Sequence, residues 1–480
     1  LRMKILENHF RQFVLILLIA FFTDCKTETP VVPEITLDKQ EMQFTCASGT
    51  NQLAITANLP WTAFVSQSWC ALSSSSGDAG TKQLTVSVTE NTSDAIREAI
   101  ITFTSGSVSK QVKVVQAKSN DVPGMMSDAL VLAKKMTLGW NLGNALEASG
   151  GETAWGNPKT TKALIDAVKA AGFNAVRIPC AWNSYLEDQT TYKIKASWLA
   201  RVKEVVDYCV DNNMYAILNI HWDGGWLEEN PTYAKQTAVN AQQKALWEQI
   251  ANYFREYDEH LLFAGTNEVH AGYGTPTPEN ITVQLSYNQT FVNAVRSTGG
   301  NNACRNLIVQ AYNTNIDLAV SSLKMPTDNI ANRMMAEVHY YDPWDFCGDA
   351  AGTIYYWGAD YKQYGSVSTW GQESSVDQQF AKMKTNFVNK GIPVILGEYG
   401  AIRRLTLTGD ALTHHLDSRA YYLKYVTQQA KNNGMVPFYW DNGGPGDKGF
   451  GIFNRNTNSA GDPKALSGLM QGAAAGVYPY

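Results

Sequence analysis

The sequence predicts an α/β chain in which a (β/α)8 TIM barrel follows a small all-β sandwich. Three observations lead there. The chain's 480 residues exceed the ~250–300 at which one hydrophobic core stops growing, so at least two domains are expected. From about Val122 to the end, strand-like and helix-like patterns alternate through eight repeats. Between Glu34 and Lys118 the apolar runs are shorter, alternate with period two, and are separated by Ser, Gly and Asn clusters such as Ser73 to Gly80.

The first 25 residues read as a targeting segment. Arg2, Lys4 and Arg11 precede an apolar run from Phe13 to Phe22, the length of a signal-peptide core and about half of what spans a bilayer. Cys25 follows directly, and the arrangement resembles a bacterial lipoprotein signal, in which that Cys is lipidated and becomes the first residue. Asp24 departs from the small residue usual there, and the competing reading is a plain secretory signal cleaved nearby. Either way the protein is expected to be exported, with the lipid form anchored to the outer membrane. Lys26 to Pro33, rich in Thr and Pro, reads as a tether.

The sandwich, residues 34–118, is built on the runs Ile35–Leu37, Leu53–Ala57, Gln83–Val88, Ala99–Phe103 and Val108–Val115. Its segments Leu59-Pro60-Trp61-Thr62-Ala63, Trp69-Cys70-Ala71-Leu72 and Val114-Val115-Gln116-Ala117 resemble the BACON domain, an immunoglobulin-like module. The resemblance implies a spacer or a carbohydrate binder, and the spacer is the reading favoured here. In the barrel, residues 122–480, strands are expected at Met136–Leu142, Ala175–Pro179, Tyr215–Ile220, Leu261–Thr266, Leu307–Ala311, Met334–His339, Pro393–Gly397 and Val436–Trp440. Helical patterns lie between them, among others at Lys159–Ala171, Ser197–Asn212, Ala241–Tyr257, Val376–Lys390 and His414–Asn432.

Composition narrows the function. Net charge is −5, and no basic run follows the first residues, which argues against nucleic acid, whose phosphates require clustered Lys and Arg. A neutral polysaccharide needs no such field, and 13 Trp and 23 Tyr could supply stacking surfaces for sugar rings. The six cysteines after Cys25 (Cys46, Cys70, Cys180, Cys209, Cys304 and Cys347) form no C-x-x-C pair and are expected to be buried free thiols. The acidic residues Asp223, Glu228 and Glu229 crowd one loop, where a solvated face is expected. His414-His415 lacks ligand-spaced partners, so no metal is implied.

In a (β/α)8 barrel the chemistry sits at the C-terminal ends of the strands. Strand four runs into Asn267-Glu268 and strand seven into Glu398-Tyr399-Gly400. Strand two ends in Arg177-Ile178-Pro179, strand three in His221-Trp222-Asp223, strand six in His339-Tyr340-Tyr341 and strand eight in Trp440. Two carboxyl groups facing each other across a barrel mouth fit glycosidic cleavage, which needs one acid for the leaving oxygen and one carboxylate for the anomeric carbon.

Gly139-Trp140-Asn141-Leu142-Gly143-Asn144, Phe173 to Pro179, Asn219-Ile220-His221, Asn267-Glu268, His339-Tyr340-Tyr341, Gly397-Glu398-Tyr399-Gly400 and Trp440 together resemble glycoside hydrolase family 5 over residues 125–478. The resemblance implies a retaining enzyme with Glu268 as acid/base and Glu398 as nucleophile. It further implies that Asn267 binds the sugar 2-hydroxyl, that Arg177 and Tyr341 hydrogen-bond Glu398, and that His221, His339 and Trp440 line the −1 subsite. Asn144 joins the substrate-binding set. Glu398 is expected to have charged, donor-rich surroundings and Glu268 drier ones that raise its pKa.

The chain departs from the family pattern at Thr266 and Val269 around the acid, and at Trp222, where relatives often carry a second His. Asn141 to Asn144, His221 to Trp226 and His339 to Phe346 look most like the subgroup cleaving cellulose-type, mixed-linkage and xyloglucan backbones. The reading is therefore an endo-β-1,4-glucanase, monomeric and without a cofactor. Its rivals are a β-mannanase and a catalytically silent carbohydrate-binding surface protein. Trp155, Trp226, Trp344, Trp357 and Trp370 are candidates for outer subsites or for packing.

Overall fold

The computed structural model describes residues 31–44, 46, 48–91, 93, 95–117 and 124–480. The signal segment, Cys25 and most of the tether lie outside them. No helix among the described residues is long and apolar enough to cross a membrane.

The N-terminal unit is all β. Strands Ile35–Leu37, Gly49–Ala57, Gly80–Val88 and Cys70–Leu72 make one sheet, and Glu41–Phe44, Val108–Gln116, Arg97–Ser105, Trp61–Val65 and Ser76–Gly77 the other. Burial alternates along the long strands: Leu53, Ile55 and Ala57 face inward, as do Leu84, Val86 and Val88, and Ala99, Ile101 and Phe103. Trp61 belongs to this core, its ring 5.7 Å from Phe103 and edge-on to it. Trp69 is half-buried.

Eight parallel strands close the barrel: Gly139–Leu142, Ala175–Ile178, Tyr215–Asn219, Leu261–Ala264, Leu307–Gln310, Met334–Tyr340, Val394–Tyr399 and Met435–Asp441. The predicted (β/α)8 architecture is borne out. Strand side chains alternate between the barrel interior and the surrounding helices, so almost every strand residue is buried. Ala175, Ile217, Leu262, Ile308, Met335, Ile395, Val436 and Phe438 form one apolar cluster, closed by Ala129, Leu132 and Ala133 of the short helix Ala129–Lys135. Counting in twos from that layer gives Arg177, Asn219, Gln310, Glu337 with His339, and Trp440. The interior thus turns from apolar to polar along each strand, and the polar end is the site.

Strand seven breaks the count. Its register with strand six shifts at Val338/His339, so that Gly397 is passed over and Glu398 comes opposite His339. A Cβ on Gly397 would lie 2.0 Å from Glu337 Oε1, so the close approach requires glycine.

Among the helices, Tyr233–Tyr253 begins eight residues before its apolar stripe suggests, and Gly409–Asn432 five before. Pro278–Ser297 is a further helix, which buries the apolar stripe Val283, Tyr287, Phe291 and Val295. Its inward face carries Asn280, Gln284 and Asn288 at i, i+4 and i+8. Asn280 donates to the Pro231 carbonyl, while Gln284 and Asn288 both donate to the carbonyl of Gln310. Buried polar groups bonded in this way widen the buried face beside the apolar stripe.

Candidate active site

Glu268 lies just past strand four and Glu398 within strand seven. An oxygen of each lies within 4.8 Å of the other and of a ring nitrogen of His339. Arg177, fully buried, organises the floor. Its Nη1 donates to Glu398 Oε1 at 2.8 Å and to Asn141 Oδ1 at 3.0 Å, and its Nη2 to Asn267 Oδ1 at 2.8 Å. Its Nε pairs with Glu337 Oε1 at 2.9 Å. Tyr341 donates its hydroxyl to Glu398 Oε2 at 3.0 Å. The nucleophile candidate therefore has a cation and a phenol on its two oxygens.

His339 bridges two acids. Its Nδ1 lies 2.6 Å from Glu268 Oε1 and its Nε2 3.3 Å from Glu337 Oε1. His221 sits across the mouth, its ring parallel to Trp440 with centroids 6.0 Å apart. Burial, then the Arg177 and His339 charges, hold His221 well below the ordinary histidine range. The structure so brings Arg177, His221, Asn267, Glu268, His339, Tyr341, Glu398 and Trp440 to one end of the barrel. Asn144 stands two residues beyond strand one, with positive φ, and its bonds are local. Its N–H donates to Glu147 and its carbonyl accepts from Asn157.

Glu398 has charged, donor-rich surroundings, but Glu268 is not the drier of the two carboxyls. The Glu398 side chain is 8% exposed and that of Glu268 28%. Burial pushes both carboxyls up. At Glu268 the His339 hydrogen bond and charge, with Arg177, overcome it, so its pKa falls. At Glu398 burial and the Glu268 charge outweigh His339, Arg177 and Tyr341, and its pKa rises. The two titrate together: a proton on Glu268 removes a negative charge close to Glu398, so a protonated acid and an ionised nucleophile favour each other.

Three acids of this end escape a reading of the sequence. Glu337 is a charged residue inside an apolar strand, two positions before His339, and that oddity was the signal available. Glu147 is buried, and desolvation lifts it to about 7 against the Asn144 and Ala145 N–H groups and Arg455. Glu228 corrects the expectation of a solvated acidic loop: it and Asp223 are buried, while Glu229 alone of the three is exposed. Asp223 accepts from the Trp182 and Ser184 main chain, and Glu228 Oε2 from the Glu268 N–H at 3.1 Å and Asn267 Nδ2 at 3.2 Å.

Burial and then the Glu268 charge push Glu228 up to about 8. Between the ordinary carboxylate range and that value the folded protein keeps a proton the unfolded chain has lost, so stability falls as pH rises across the window. In Glu228→Gln the fall in Tm between about pH 5.5 and about pH 8.5 is expected to shrink. Scanning calorimetry at the two pH values checks it, and an unchanged fall would contradict the assignment.

Beside the carboxyls opens a cleft of about 950 Å³ lined by Tyr273, Asn313, Thr314, Tyr341, Trp344, Trp440 and Phe450. Trp344 and Tyr273 stand exposed at 56% and 83%. Of the other loop tryptophans, Trp357 is core, Trp226 is half-buried, and Trp155 and Trp370 are exposed.

Residues 141–446 match the family model of cellulase, glycosyl hydrolase family 5, a span that contains Arg177, His221, Asn267, Glu268, His339, Tyr341, Glu398 and Trp440. The chain belongs to glycosyl hydrolase family 5. Residues 59–117 match the BACON model, described as a putative N-terminal binding domain. A xyloglucan-specific endo-β-1,4-glucanase of Bacteroides ovatus is 38% identical across 96% of this chain and 96% of its own length. An endoglucanase A of Paenibacillus barcinonensis is 40% identical over 72% of this chain and 90% of its own. Among solved structures, a Bacteroides ovatus family 5 xyloglucanase in complex with a XXXG heptasaccharide superposes with a TM-score of 0.70 at 38% identity, covering 92% of this chain and all of that one. This family 5 chain is a glycoside hydrolase.

Proposed function

We propose that the protein is a retaining endo-β-1,4-glucanase whose first substrate is the xyloglucan backbone, with activity on mixed-linkage and cellulose-type glucans. The observation that carries the reaction type is the carboxyl spacing. Oxygens of Glu268 and Glu398 within 4.8 Å of each other suit double displacement, which works at ~5–5.5 Å, and leave no room for the water that inversion places between carboxyls at least ~6.5 Å apart. Glu398, steered by Arg177 and Tyr341, attacks the anomeric carbon while Glu268 protonates the departing oxygen. The bond to the aglycone breaks and a glycosyl ester forms. Glu268, now a carboxylate, takes a proton from water as its hydroxyl displaces Glu398.

Asn267, its amide fixed between Arg177 and Glu228, meets the 2-hydroxyl. Trp440, His221 and His339 surround the −1 sugar, Asn144 borders it, and Trp344 offers a ring for an outer sugar. The xyloglucan preference is supported by the full-length likeness to the Bacteroides ovatus enzyme, N-terminal module included. Export as a lipoprotein on Cys25, with residues 26–33 as tether, residues 34–118 as spacer and residues 122–480 as a monomeric catalytic domain, belongs to the same proposal.

Reducing-sugar release from xyloglucan, barley β-glucan, carboxymethylcellulose and galactomannan tests it. Release from the glucans, largest with xyloglucan, is expected. Release from galactomannan alone would overturn the substrate, and silence on all four would overturn the activity.

A further inference from the structure

Glu337 is a fully buried carboxylate to which the two catalytic roles assign nothing. Oε1 faces Arg177 Nε at 2.9 Å and His339 Nε2 at 3.3 Å, and Oε2 accepts from Gln310 Nε2 at 2.5 Å. Gln310 Oε1 in turn accepts from the N–H and hydroxyl of Thr266, 2.9 and 3.0 Å away, one of the positions where the chain departs from the family pattern. An ion placed there is costly unless it serves partners that need its charge.

We propose that Glu337 is a positioning residue for the acid/base: acting through His339, it keeps in the Glu268–His339 pair the proton that Glu268 delivers to the leaving oxygen. The inference rests on Glu268 being the acid/base. A histidinium beside an ionised Glu268 carries the same number of protons as a neutral histidine beside a protonated Glu268. The 2.6 Å contact between Nδ1 and Oε1 is where that one proton resides. On cleavage it passes to the departing oxygen, which keeps the bonding electron pair. His339 is left neutral with its Nε2–H on Glu337, and the proton released from water in the second step restores the pair.

The groups around His339 are Glu268 beyond strand four, Glu398 Oε2 at 3.8 Å from strand seven, Glu337 from its own strand, Tyr341 just past that strand and bonded to Glu398 Oε2, Arg177 from strand two and His221 beyond strand three. Burial opposes the charged ring, yet Glu398, Glu268 and Glu337 outweigh it and push His339 up to about 10. Arg177 also uses the Glu337 charge, which is the largest support of its own. Glu398, Asn141 and Asn267 still hold its other two nitrogens in place, and Glu398 still faces its charge, whereas the Nε2 side of His339 loses the carboxylate it faces.

Glu337→Gln removes the charge and keeps the shape. Glu337→Gln combined with Gln310→Glu retains the charge count and a donor–acceptor match at that contact while moving the charge away from His339, and serves if the single variant folds poorly. The readout is kcat/KM against pH for a glucan oligosaccharide and for a dinitrophenyl cellotrioside, whose leaving group needs no acid. Because the alkaline limb follows loss of the pair's proton, it is expected to move down by about one to two pH units for the oligosaccharide in Glu337→Gln, and in the same direction in the double variant. The dinitrophenyl substrate should change little. An alkaline limb unmoved in both variants would overturn the proposal, as would equal losses on both substrates. Glu268→Ala in the same assay separates the two levels: if it too lost both substrates equally, the acid/base assignment would fall first.

Discussion

Glu398→Ala is expected to lower kcat on every glucan by roughly four to six orders of magnitude, the loss typical of a missing covalent nucleophile. In the proposed mechanism the substitution removes the atom that attacks the anomeric carbon, and with it the carboxylate that Arg177 Nη1 and Tyr341 address from 2.8 and 3.0 Å. The fold should survive, because Arg177 keeps Glu337 as its counter-ion, and far-ultraviolet circular dichroism would check this. The space left by the carboxylate admits a small anion. Added azide is therefore expected to restore turnover of an activated aryl glycoside, giving the α-glycosyl azide. A variant within tenfold of the parent would remove Glu398 from the nucleophile role.

Glu268→Ala should give a different pattern. General acid assistance contributes about 10²–10⁴-fold, so kcat/KM on oligosaccharides is expected to fall by that much and on a dinitrophenyl glycoside far less. The second step also loses its base, so the aryl substrate should show a burst followed by slow turnover as the glycosyl ester accumulates. Azide would speed that phase and yield the β-azide. Burst amplitude by stopped flow and product anomer by proton NMR check both points. Loss on both substrates without a burst would contradict the assignment.

Much of this site was legible because its chemistry is local. A barrel strand is an apolar run of four to seven residues, and a Glu, Arg or His at its C-terminal end stands out. Glu268, Glu398, Arg177 and His339 were found that way. Strand ends were less legible, because they depend on neighbours. Met136 reads as strand, yet its N–H caps the helix Ala129–Lys135. Strand seven runs on through Glu398 to Tyr399 because of a register shift that no local pattern announces. In the helix Pro278–Ser297 the apolar stripe is local, but the burial of Asn280, Gln284 and Asn288 beside it depends on carbonyls elsewhere in the chain. Glu228 and Glu337 stayed hidden for the same reason. A carboxylate's burial follows from partners distant in sequence, and for Glu337 these are Arg177, Gln310 and His339. The expected relative dryness of Glu268 failed because Glu398 lies deeper, on Arg177 and Tyr341, while Glu268 meets the cleft.

The central claim is that Glu398 becomes covalently bound to the sugar. The most direct test is brief incubation with a 2-deoxy-2-fluoro cellotriosyl fluoride, followed by peptide mass spectrometry. The fluorine slows both steps, the fluoride leaving group restores the first, and the ester therefore persists. The predicted result is one added glycosyl group, on the peptide containing Glu398. An adduct on Glu268 or any other residue, or none from an enzyme that still hydrolyses glucan, would contradict it.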